Sequence, residues 1–454
     1  MKIKKILLSL ISLAACAARC GCSMSVSIEN LLESPKLSKD QEEIYRELEK
    51  SVGRNIKLKY PRSGDYRSAF VIRNIDGEPG DEALVFYEGS DIRSGESALR
   101  LKFLDKRDGK WEAAYDLACP GNDIDSVVFA DLGGEDHSDS AKSDSSGLRI
   151  ILSYTLINQT EKALSVLKYE DGAPTELLSL AFSCMEVTDL NQDGQNELVV
   201  ISSNKEQKTA SAVMYSDSGD GLEKLSTTPL YGGVSDYLGV TEGDMDEDTT
   251  ALFIDYSKGG GQSGTDVLYC TGDRLRCYDS AAEKISRQVN DYMAEVYSFD
   301  IDDDGAIEVP ATTPFPGYET AKTSDQLCAV SWHSVNGGSF TESAYSYYSG
   351  KYRFALLFPE RWIGKVTAVA DFNNNDTIFI AYNADTGLNI TEDNEIMRIH
   401  TVDKSSGEAE SDDDDMMILD QNDDLLFCYT ENENCAYGDL MLSGSELDDN
   451  FIIL

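Results

Sequence analysis

The sequence predicts an all-β protein, a β-propeller-like array followed by a small C-terminal α+β or β domain. Three observations favour this class. An acidic loop motif starts at residues 74, 131, 189, 243 and 300, so the intervals are 57, 58, 54 and 57 residues. Short apolar segments flank the motif, and two-residue turn signals separate strand-like segments. A fixed period in the fifties built from short strands is typical of a repeat array or a propeller.

The best copy of the motif spans residues 189–198 and reads DLNQDGQNEL. Oxygen ligands at positions one, three and five of a tight loop, glycine at six and a carboxylate at nine suit a hard cation such as Ca²⁺. The flanking segments lack helical periodicity, which distinguishes the loop from an EF-hand. The predicted ligands are side-chain oxygens, together with the position-seven carbonyl of Gln195: Asp189, Asn191, Asp193 and Glu197.

A second full copy spans residues 300–309 and reads DIDDDGAIEV. Its predicted ligands are Asp300, Asp302, Asp304 and Glu308, with the carbonyl of Ala306. Without a cation, two carboxylates about 4 Å apart repel by roughly 4 kcal/mol at an effective dielectric of ~20. We therefore predict one Ca²⁺ in each of the two loops. The alternative is an acidic turn in which Asn and Asp adopt tolerated backbone conformations.

Three weaker copies complete the series. The loop at residue 74 keeps four of the ligand positions but has Pro79 in place of the glycine, which makes it a possible third site. A polar insert at 138–146 interrupts the copy at 131, and the aspartates of the copy at 243 are out of register by one residue. These last two loops are predicted to be empty or leaky. The aligned residues of the first copy are Asn74, Asp76, Glu78 and Glu82.

Turn signals recur with a similar spacing. Dipeptides of Asp or Asn with Gly between strand-like segments predict tight β-hairpins, because these residues tolerate the left-handed backbone that such turns need. The five dipeptides are Asp108-Gly109, Asp171-Gly172, Asp220-Gly221, Gly272-Asp273 and Asn336-Gly337.

The DxNxDGxxEL loop between strands resembles the FG-GAP/VCBS repeat, best known from integrin alpha-subunit propellers. The resemblance covers about residues 60 to 310. The run from Tyr60-Pro61 to residue 87, and FPERWIGKV at 358–366, are similar to uncharacterised lipoproteins of anaerobic Gram-positive bacteria. The resemblance implies blades of four antiparallel strands with calcium in some interstrand loops. It implies no reaction.

The N-terminus predicts export and lipid anchoring. Residues 1–22 combine three early lysines with an apolar run from 6 to 15, which is typical of a secretory signal. Leu13-Ala14-Ala15-Cys16 looks like a bacterial lipobox, so Cys16 is the predicted lipidation site. Cys22 is a rival, and cleavage without a lipid is a further alternative. The predicted location is the extracellular face of the bacterial cell membrane, with membrane contact through the lipid alone.

Residues 23–55 are predicted to form a tether and a short helix. Ser38 with Gln41 matches a capping box, the apolar residues Ile44 and Leu48 recur at four-residue spacing, and Gly53 ends the pattern. The predicted propeller spans 56–350 and the small C-terminal domain spans 351–454. An alternative is that the C-terminal segment supplies the last blade.

Charge limits the partners. The chain has 39 basic and 82 acidic residues and a net charge of −43, which argues against nucleic acid and against a polybasic membrane patch. The excess fits an extracellular surface together with cation ligands. We expect a cell-surface lipoprotein whose calcium-stabilised propeller binds an extracellular glycan or protein. An extracellular enzyme acting on polysaccharide or peptide at the propeller mouth is the alternative, and an envelope assembly factor is a third.

Residues that carry catalysis are not identifiable from the sequence, which favours binding over catalysis. The three histidines have no neighbouring pattern of metal ligands or of a Ser-His-Asp site. Cys270 with Cys277, and Cys428 with Cys435, share one spacing. The sequence allows each pair to form a disulfide or to consist of free buried thiols.

Overall fold

The structure is a computed structural model that describes residues 37–89, 98–133, 148–156, 162–219, 221–246, 248–278, 287–288, 296–322, 325–336, 339–406 and 416–454. The signal peptide 1–22 with Cys16 and Cys22, most of the tether and the insert at 138–146 lie outside these ranges. Within them, the secondary structure is mostly β and is organised in sheets of four or five antiparallel strands. This confirms the predicted all-β class.

Helix α1 (Lys39–Val52) begins with the predicted capping box. The hydroxyl of Ser38 accepts a hydrogen bond from the backbone N–H of Gln41, and the Gln41 side chain accepts one from the backbone N–H of Ser38. Gly53 ends the helix with a φ of 96°. Ile44 and Leu48 are fully buried against the outer face of the first sheet.

Consecutive stretches of chain form the first three sheets. In the first sheet, β1 and β2 both pair with β3. Its strands are β1 (Lys57–Leu58), β2 (Phe70–Arg73), β3 (Glu82–Glu88), β4 (Leu99–Arg107) and β5 (Lys110–Ala118). The second contains β6 (Asp123–Asp131), β7 (Leu148–Thr155), β8 (Lys162–Glu170) and β9 (Ala173–Phe182). The third contains β10 (Cys184–Thr188), β11 (Glu197–Asn204), β12 (Thr209–Asp217) and β13 (Leu222–Leu230).

Three further sheets follow in the described residues. The fourth contains β14 (Asp236–Asp246), β15 (Thr249–Gly259), β16 (Gln262–Thr271), β17 (Arg274–Cys277) and β18 (Arg287–Gln288). The fifth contains β19 (Val309–Pro314), β20 (Cys328–Asn336), β21 (Ser339–Ser349) and β22 (Phe354–Leu357), and it is completed by β28 (Phe451–Ile453). The sixth contains β23 (Val366–Asp371), β24 (Asp376–Ala381), β25 (Glu395–Asp403), β26 (Met417–Gln421) and β27 (Leu425–Glu431). Helix α2 (Gly444–Asn450) precedes β28.

Successive sheets pack face to face through the alternation of side chains along each strand. On β11, Leu198 and Val200 join a buried cluster with the second sheet, whereas Val199 and Ile201 join one with the fourth. A strand that is buried on both faces needs apolar residues at every position, which explains the continuous run LVVI.

The predicted hairpins are confirmed where both turn residues are described. Asp108 and Gly109 link β4 to β5 with φ values of 50° and 74°, and Asp171 and Gly172 link β8 to β9 with 51° and 77°. Positive φ at both central residues matches the twist of the flanking strands. Gly272 and Asp273 likewise separate β16 from β17. The turns at 220–221 and 336–337 each include a residue outside the described ranges.

The fifth sheet crosses the predicted domain boundary at 350–351. Strand β22 lies after that boundary and pairs with β21 on one side and with C-terminal β28 on the other. A buried cluster joins the fifth and sixth sheets and includes Phe354, Phe379 and Phe427. The separate C-terminal domain and its alternative, a last blade, both stay predictions.

The seven cysteines in the described residues form no disulfide with one another. Cys270 lies opposite Leu275 and Cys277 lies opposite Leu268, so the two cysteines are not cross-strand partners. None of the described helices has the length and apolar character that crossing a membrane requires.

Candidate functional site

The loop between β10 and β11 is held in a tight turn by its own carboxylates. Asp189 accepts hydrogen bonds from the backbone N–H groups of Asp193, at 3.0 Å, and of Gly194, at 2.8 Å. Gln192 and Gly194 have φ values of 60° and 90°. A φ of 90° lies in the left-handed region that favours glycine. No atom lies within 4 Å of the place where a Cβ of residue 194 would stand, so the backbone conformation, and not crowding, explains the glycine at position six.

This turn brings three predicted ligands together. Asp189, Asp193 and Glu197 each contribute a carboxylate oxygen, and the three oxygens lie within 4.8 Å of one another. Glu197 is 1% exposed, whereas Asp193 is exposed at the outer side. An all-oxygen donor set with three carboxylates, open on one side to solvent, fits a hard cation that completes its shell with water or carbonyl groups.

The loop before β19 has the same backbone. Asp300 accepts hydrogen bonds from the N–H groups of Asp304, at 3.2 Å, and of Gly305, at 3.0 Å. Positive φ values recur at positions four and six, 59° for Asp303 and 93° for Gly305. The carboxylate cluster here consists of Asp300, Asp302 and Asp304, which again offer oxygens within 4.8 Å of one another.

Glu308 stands apart from that cluster of three. Its buried carboxylate accepts a hydrogen bond from the backbone N–H of Ile301, at 3.1 Å, and one from the hydroxyl of Ser334, at 3.3 Å. The structure therefore gives Glu308 a loop-closing contact, and its predicted role as a ligand stays a prediction.

The remaining predicted ligands contact the cluster residues. Asn191 accepts a hydrogen bond from the N–H of Asp193 at 3.0 Å, and its amide donates to Asp193 at 3.1 Å. The N–H groups of Gln195 and Ala306 donate to Asp193 and Asp304 at 2.9 and 2.8 Å. The carbonyls of Gln195 and Ala306 remain predicted ligands.

Burial and neighbouring charge perturb the position-nine glutamates. Burial, with the nearby carboxylates of Asp193 and Asp189, raises the pKa of Glu197 to about 7. Burial also raises the pKa of Glu308 to about 7, and the neighbouring aspartates add to the effect. A bound cation would favour the ionised forms and lower these pKa values, so protons would compete with a cation at these loops.

The loop at residue 74 is closed by the same glutamate hydrogen bond as the loops at 189 and 300, but it lacks their cluster of three carboxylates. Glu82 accepts a 2.6 Å hydrogen bond from the N–H of Ile75, and burial raises its pKa to about 7. Asn74 donates to the carbonyl of Glu78 at 2.8 Å. Among the described residues, three carboxylates do not converge here as they do in the other two loops. This observation favours the two full copies of the motif as cation sites.

Neighbouring loops contact one another, which the sequence did not reveal. Asn196 donates to the carbonyl of Asp131 at 3.1 Å, linking the loops at 131 and 189. Gln192 donates to the hydroxyl of Thr250 at 3.0 Å, which in turn donates to Asp244 at 3.2 Å. The backbone N–H of Ile307 donates to the carbonyl of Asp244 at 2.9 Å. Four of the five loops therefore form one continuous set.

A second group of hydrogen-bonded polar residues lies on the sixth sheet, and the sequence did not predict it. His400 Nδ1 lies 2.9 Å from Asp376 Oδ1, and His400 Nε2 lies 3.2 Å from the hydroxyl of Thr430. Arg398 donates to the other oxygen of Asp376 at 3.1 Å. The order carboxylate, imidazole, hydroxyl is the one by which hydrolases activate a nucleophile. These residues come together because β24, β25 and β27 are adjacent, although they are far apart in sequence.

Comparisons with known proteins give weak likenesses only. No protein-family profile matches the chain, and no curated protein matches it in sequence. The rhamnogalacturonan lyase YesW is 10% identical with a TM-score of 0.30, over 87% of this chain and 96% of the lyase. An exo-β-1,3-galactanase from Phanerochaete chrysosporium, solved with galactose, is 9% identical with a TM-score of 0.27, over 84% and 91%. A protein from Lactobacillus plantarum is 11% identical with a TM-score of 0.28, over 72% and 84%.

Proposed function

We propose that this protein is a calcium-stabilised, propeller-like surface lipoprotein that binds an extracellular ligand, either a glycan or a protein. The observation that carries the proposal is the pair of loops that each gather three carboxylate oxygens within 4.8 Å. Uncompensated, such a cluster is repulsive, because each carboxylate pair costs roughly 4 kcal/mol at about 4 Å and an effective dielectric of ~20. Calcium, which accepts six to eight oxygen ligands, relieves that repulsion.

The order of the sheets supports the propeller-like arrangement. The described sheets follow chain order, and each packs on the next through buried clusters. Acidic loops link the first two strands of the second, third and fourth sheets, and they contact one another in the same order. In this proposal the sixth sheet is the last blade, and residues 351–454 belong to the array.

The extracellular location rests on the N-terminal sequence. The lysines at 2, 4 and 5, the apolar run and the Leu-Ala-Ala-Cys motif support export and lipidation at Cys16. The net charge of −43 suits an exposed position in which calcium is available. Extracellular calcium sites commonly have dissociation constants of ~10⁻⁴ to 10⁻³ M.

Calcium dependence is tested by melting the full chain in chelator and in millimolar calcium. A tenfold excess over the dissociation constant stabilises by about 1.4 kcal/mol per site. Asp193→Ala and Asp304→Ala should each remove part of the shift, and the double variant should remove most of it. Asp76→Ala, in the loop without a cluster, is the control and should keep the full shift. If the double variant also keeps it, the cation sits elsewhere and the two loops are structural turns.

Ligand binding is tested by a pull-down from intact cells and by incubation with a panel of cell-wall and plant oligosaccharides. A binding protein should retain its ligand and release no product. Product release that one carboxylate substitution abolishes would contradict the binding function.

One observation favours the alternative of an extracellular enzyme. The set of Asp376, His400 and Thr430 orients a hydroxyl toward an imidazole, as acyl-transfer enzymes do. Thr430→Val and Thr430→Ser separate the two functions in an assay on peptide and ester substrates. Activity that survives Thr430→Ser and disappears in Thr430→Val would establish the enzyme. If both variants have the same activity, Asp376, His400 and Thr430 are a hydrogen-bonded group that stabilises the sixth sheet and not a catalytic site.

A further inference from the structure

A pocket lies between the fifth and sixth sheets, and its lining residues are separate from the two carboxylate clusters. The turn between β21 and β22 forms one wall and the loop between β23 and β24 forms the other. Lys351 and Tyr352 lie on the first wall, and Asp371, Phe372 and Asn375 lie on the second. The pocket therefore combines aromatic rings with a cation, an anion and an amide.

Hydrogen bonds join the two walls. The hydroxyl of Tyr352 donates to Asn375 Oδ1 at 2.6 Å, and Lys351 Nζ donates to the Tyr352 hydroxyl at 2.6 Å. The ammonium of Lys351 also lies 4.4 Å from the centre of the Tyr352 ring. Asn375 has a φ of 57°, a left-handed conformation that asparagine tolerates. These contacts hold the polar groups in place before a ligand arrives, which lowers the entropic cost of binding.

Phe372 is unusually open for a ring of its size. It is 61% exposed, more than any other described aromatic residue. Small-ligand sites combine apolar or aromatic surface with a few placed polar groups that fix the orientation of the ligand. The aromatic face supplies a flat apolar surface.

The polar groups supply both signs of charge. Among the described residues, Lys351 forms no ion pair; its ammonium contacts Tyr352 and Asn375. Asp371 accepts hydrogen bonds from the Asn374 amide at 2.8 Å and from the Asn373 N–H at 3.0 Å, which hold its pKa below the usual range. The pocket thus offers a donor-only ammonium, an acceptor-only carboxylate and an amide that does both.

We propose that the mouth of this pocket, where Phe372 is exposed, binds one face of a pyranose ring of an extracellular glycan, an inference that rests on the proposed ligand-binding function. A pyranose has an apolar C–H face and a rim of hydroxyls that both donate and accept. Phe372 stacks against the C–H face. Asp371 accepts from hydroxyls, and the Asn375 amide N–H groups and the Lys351 ammonium donate to hydroxyl or ring oxygens. Neither a purely apolar ligand nor a metal ion matches this combination.

The test is isothermal titration of the full chain, in detergent and millimolar calcium, with neutral and uronic-acid-containing oligosaccharides. At least one should bind, and Phe372→Ala should weaken that binding at least tenfold, whereas Phe372→Tyr should largely restore it. Lys351→Met should also weaken binding at least tenfold. Tyr60→Ala is the matched control, because Tyr60 is 58% exposed but lies after β1 in the first sheet. It should change the affinity by less than twofold.

Three outcomes overturn the inference. Oligosaccharide binding that Phe372→Ala leaves unchanged would move the glycan site elsewhere while the ligand-binding function stands. A protein ligand from the pull-down, with no oligosaccharide bound, would overturn the glycan assignment alone. If a peptide binds at the pocket and none of the oligosaccharides does, the pocket recognises protein and not glycan.

Discussion

The buried carboxylate of Glu197 accepts a 3.2 Å hydrogen bond from the backbone N–H of Leu190, seven residues earlier. Glu82 and Glu308 make the same contact in their own loops, at 2.6 and 3.1 Å. Each glutamate therefore closes its own loop through this hydrogen bond. What distinguishes the two proposed calcium sites from the first loop is the convergence of three carboxylates within each of them.

The raised pKa values of these glutamates predict how stability depends on pH without calcium. The folded protein binds more protons than the unfolded chain between about pH 4.5 and pH 7, because burial raises each pKa from 4.5 to about 7. Stability should be fully present below about pH 4.5 for these groups and should fall as pH rises through 7. The loss approaches about 3 kcal/mol per carboxyl, since one pKa unit corresponds to about 1.4 kcal/mol.

Urea denaturation in chelator at pH 5 and pH 8 measures this effect. Glu197→Gln removes one buried charge and should make the dependence shallower than in the unmodified protein. Because other groups also titrate in this range, the difference between the variant and the unmodified protein is the informative quantity. Identical pH dependence in both would show that Glu197 titrates normally.

The first loop provides an internal comparison for calcium. Glu82→Gln keeps an oxygen that can accept from Ile75 and removes a buried charge, so it should raise stability at pH 8. It should leave the calcium-induced rise in melting temperature unchanged, whereas Glu197→Gln should reduce that rise. Melting curves with and without calcium test both variants. An equal loss in the two variants would add the first loop to the calcium sites.

Arg149 and Asp217 form an almost fully buried ion pair that links the second and third sheets. Removing one partner leaves an uncompensated buried charge, so Asp217→Ala should cost about 3–5 kcal/mol. The double variant Arg149→Met, Asp217→Leu should recover most of this loss because it removes both charges. The exposed pair of Lys205 and Asp236 is the control, and Asp236→Ala should cost less than about 1 kcal/mol. Urea denaturation in calcium of the unmodified protein and the three variants gives these changes in the free energy of unfolding.

The N-terminal motif predicts the anchor. Cys16→Ala should release the protein into the medium or leave an unprocessed precursor, because the motif predicts that the lipid is attached to the Cys16 thiol. Detergent-phase partitioning of the protein from cells that express each variant measures the lipid anchoring. If the Cys16→Ala protein still partitions into the detergent phase and only the Cys22→Ala protein fails to do so, the lipid is on Cys22.

Much of the local structure followed from neighbouring residues in the sequence. The Asp-Gly dipeptides predicted hairpins whose geometry depends on two adjacent φ values, and the spacing from Ser38 to Gly53 predicted one helix from cap to cap. The acidic motif likewise predicted the clusters at 189 and 300, since carboxylates within nine residues converge through one tight turn. These features depend on interactions over a few residues, which residue order alone specifies.

The remaining features depend on packing between distant segments. Gln192 meets Thr250 across 58 residues, Arg149 meets Asp217 across 68, and His400 meets Asp376 across 24. Strand β28 pairs with β22 in the fifth sheet, although the sixth sheet lies between them in sequence. The hydrophobic effect is non-directional. An apolar strand in the sequence therefore indicates that the strand is buried, but it does not specify which other strand packs against it. The Phe372 pocket and the contacts between cation loops arise from this choice of neighbours.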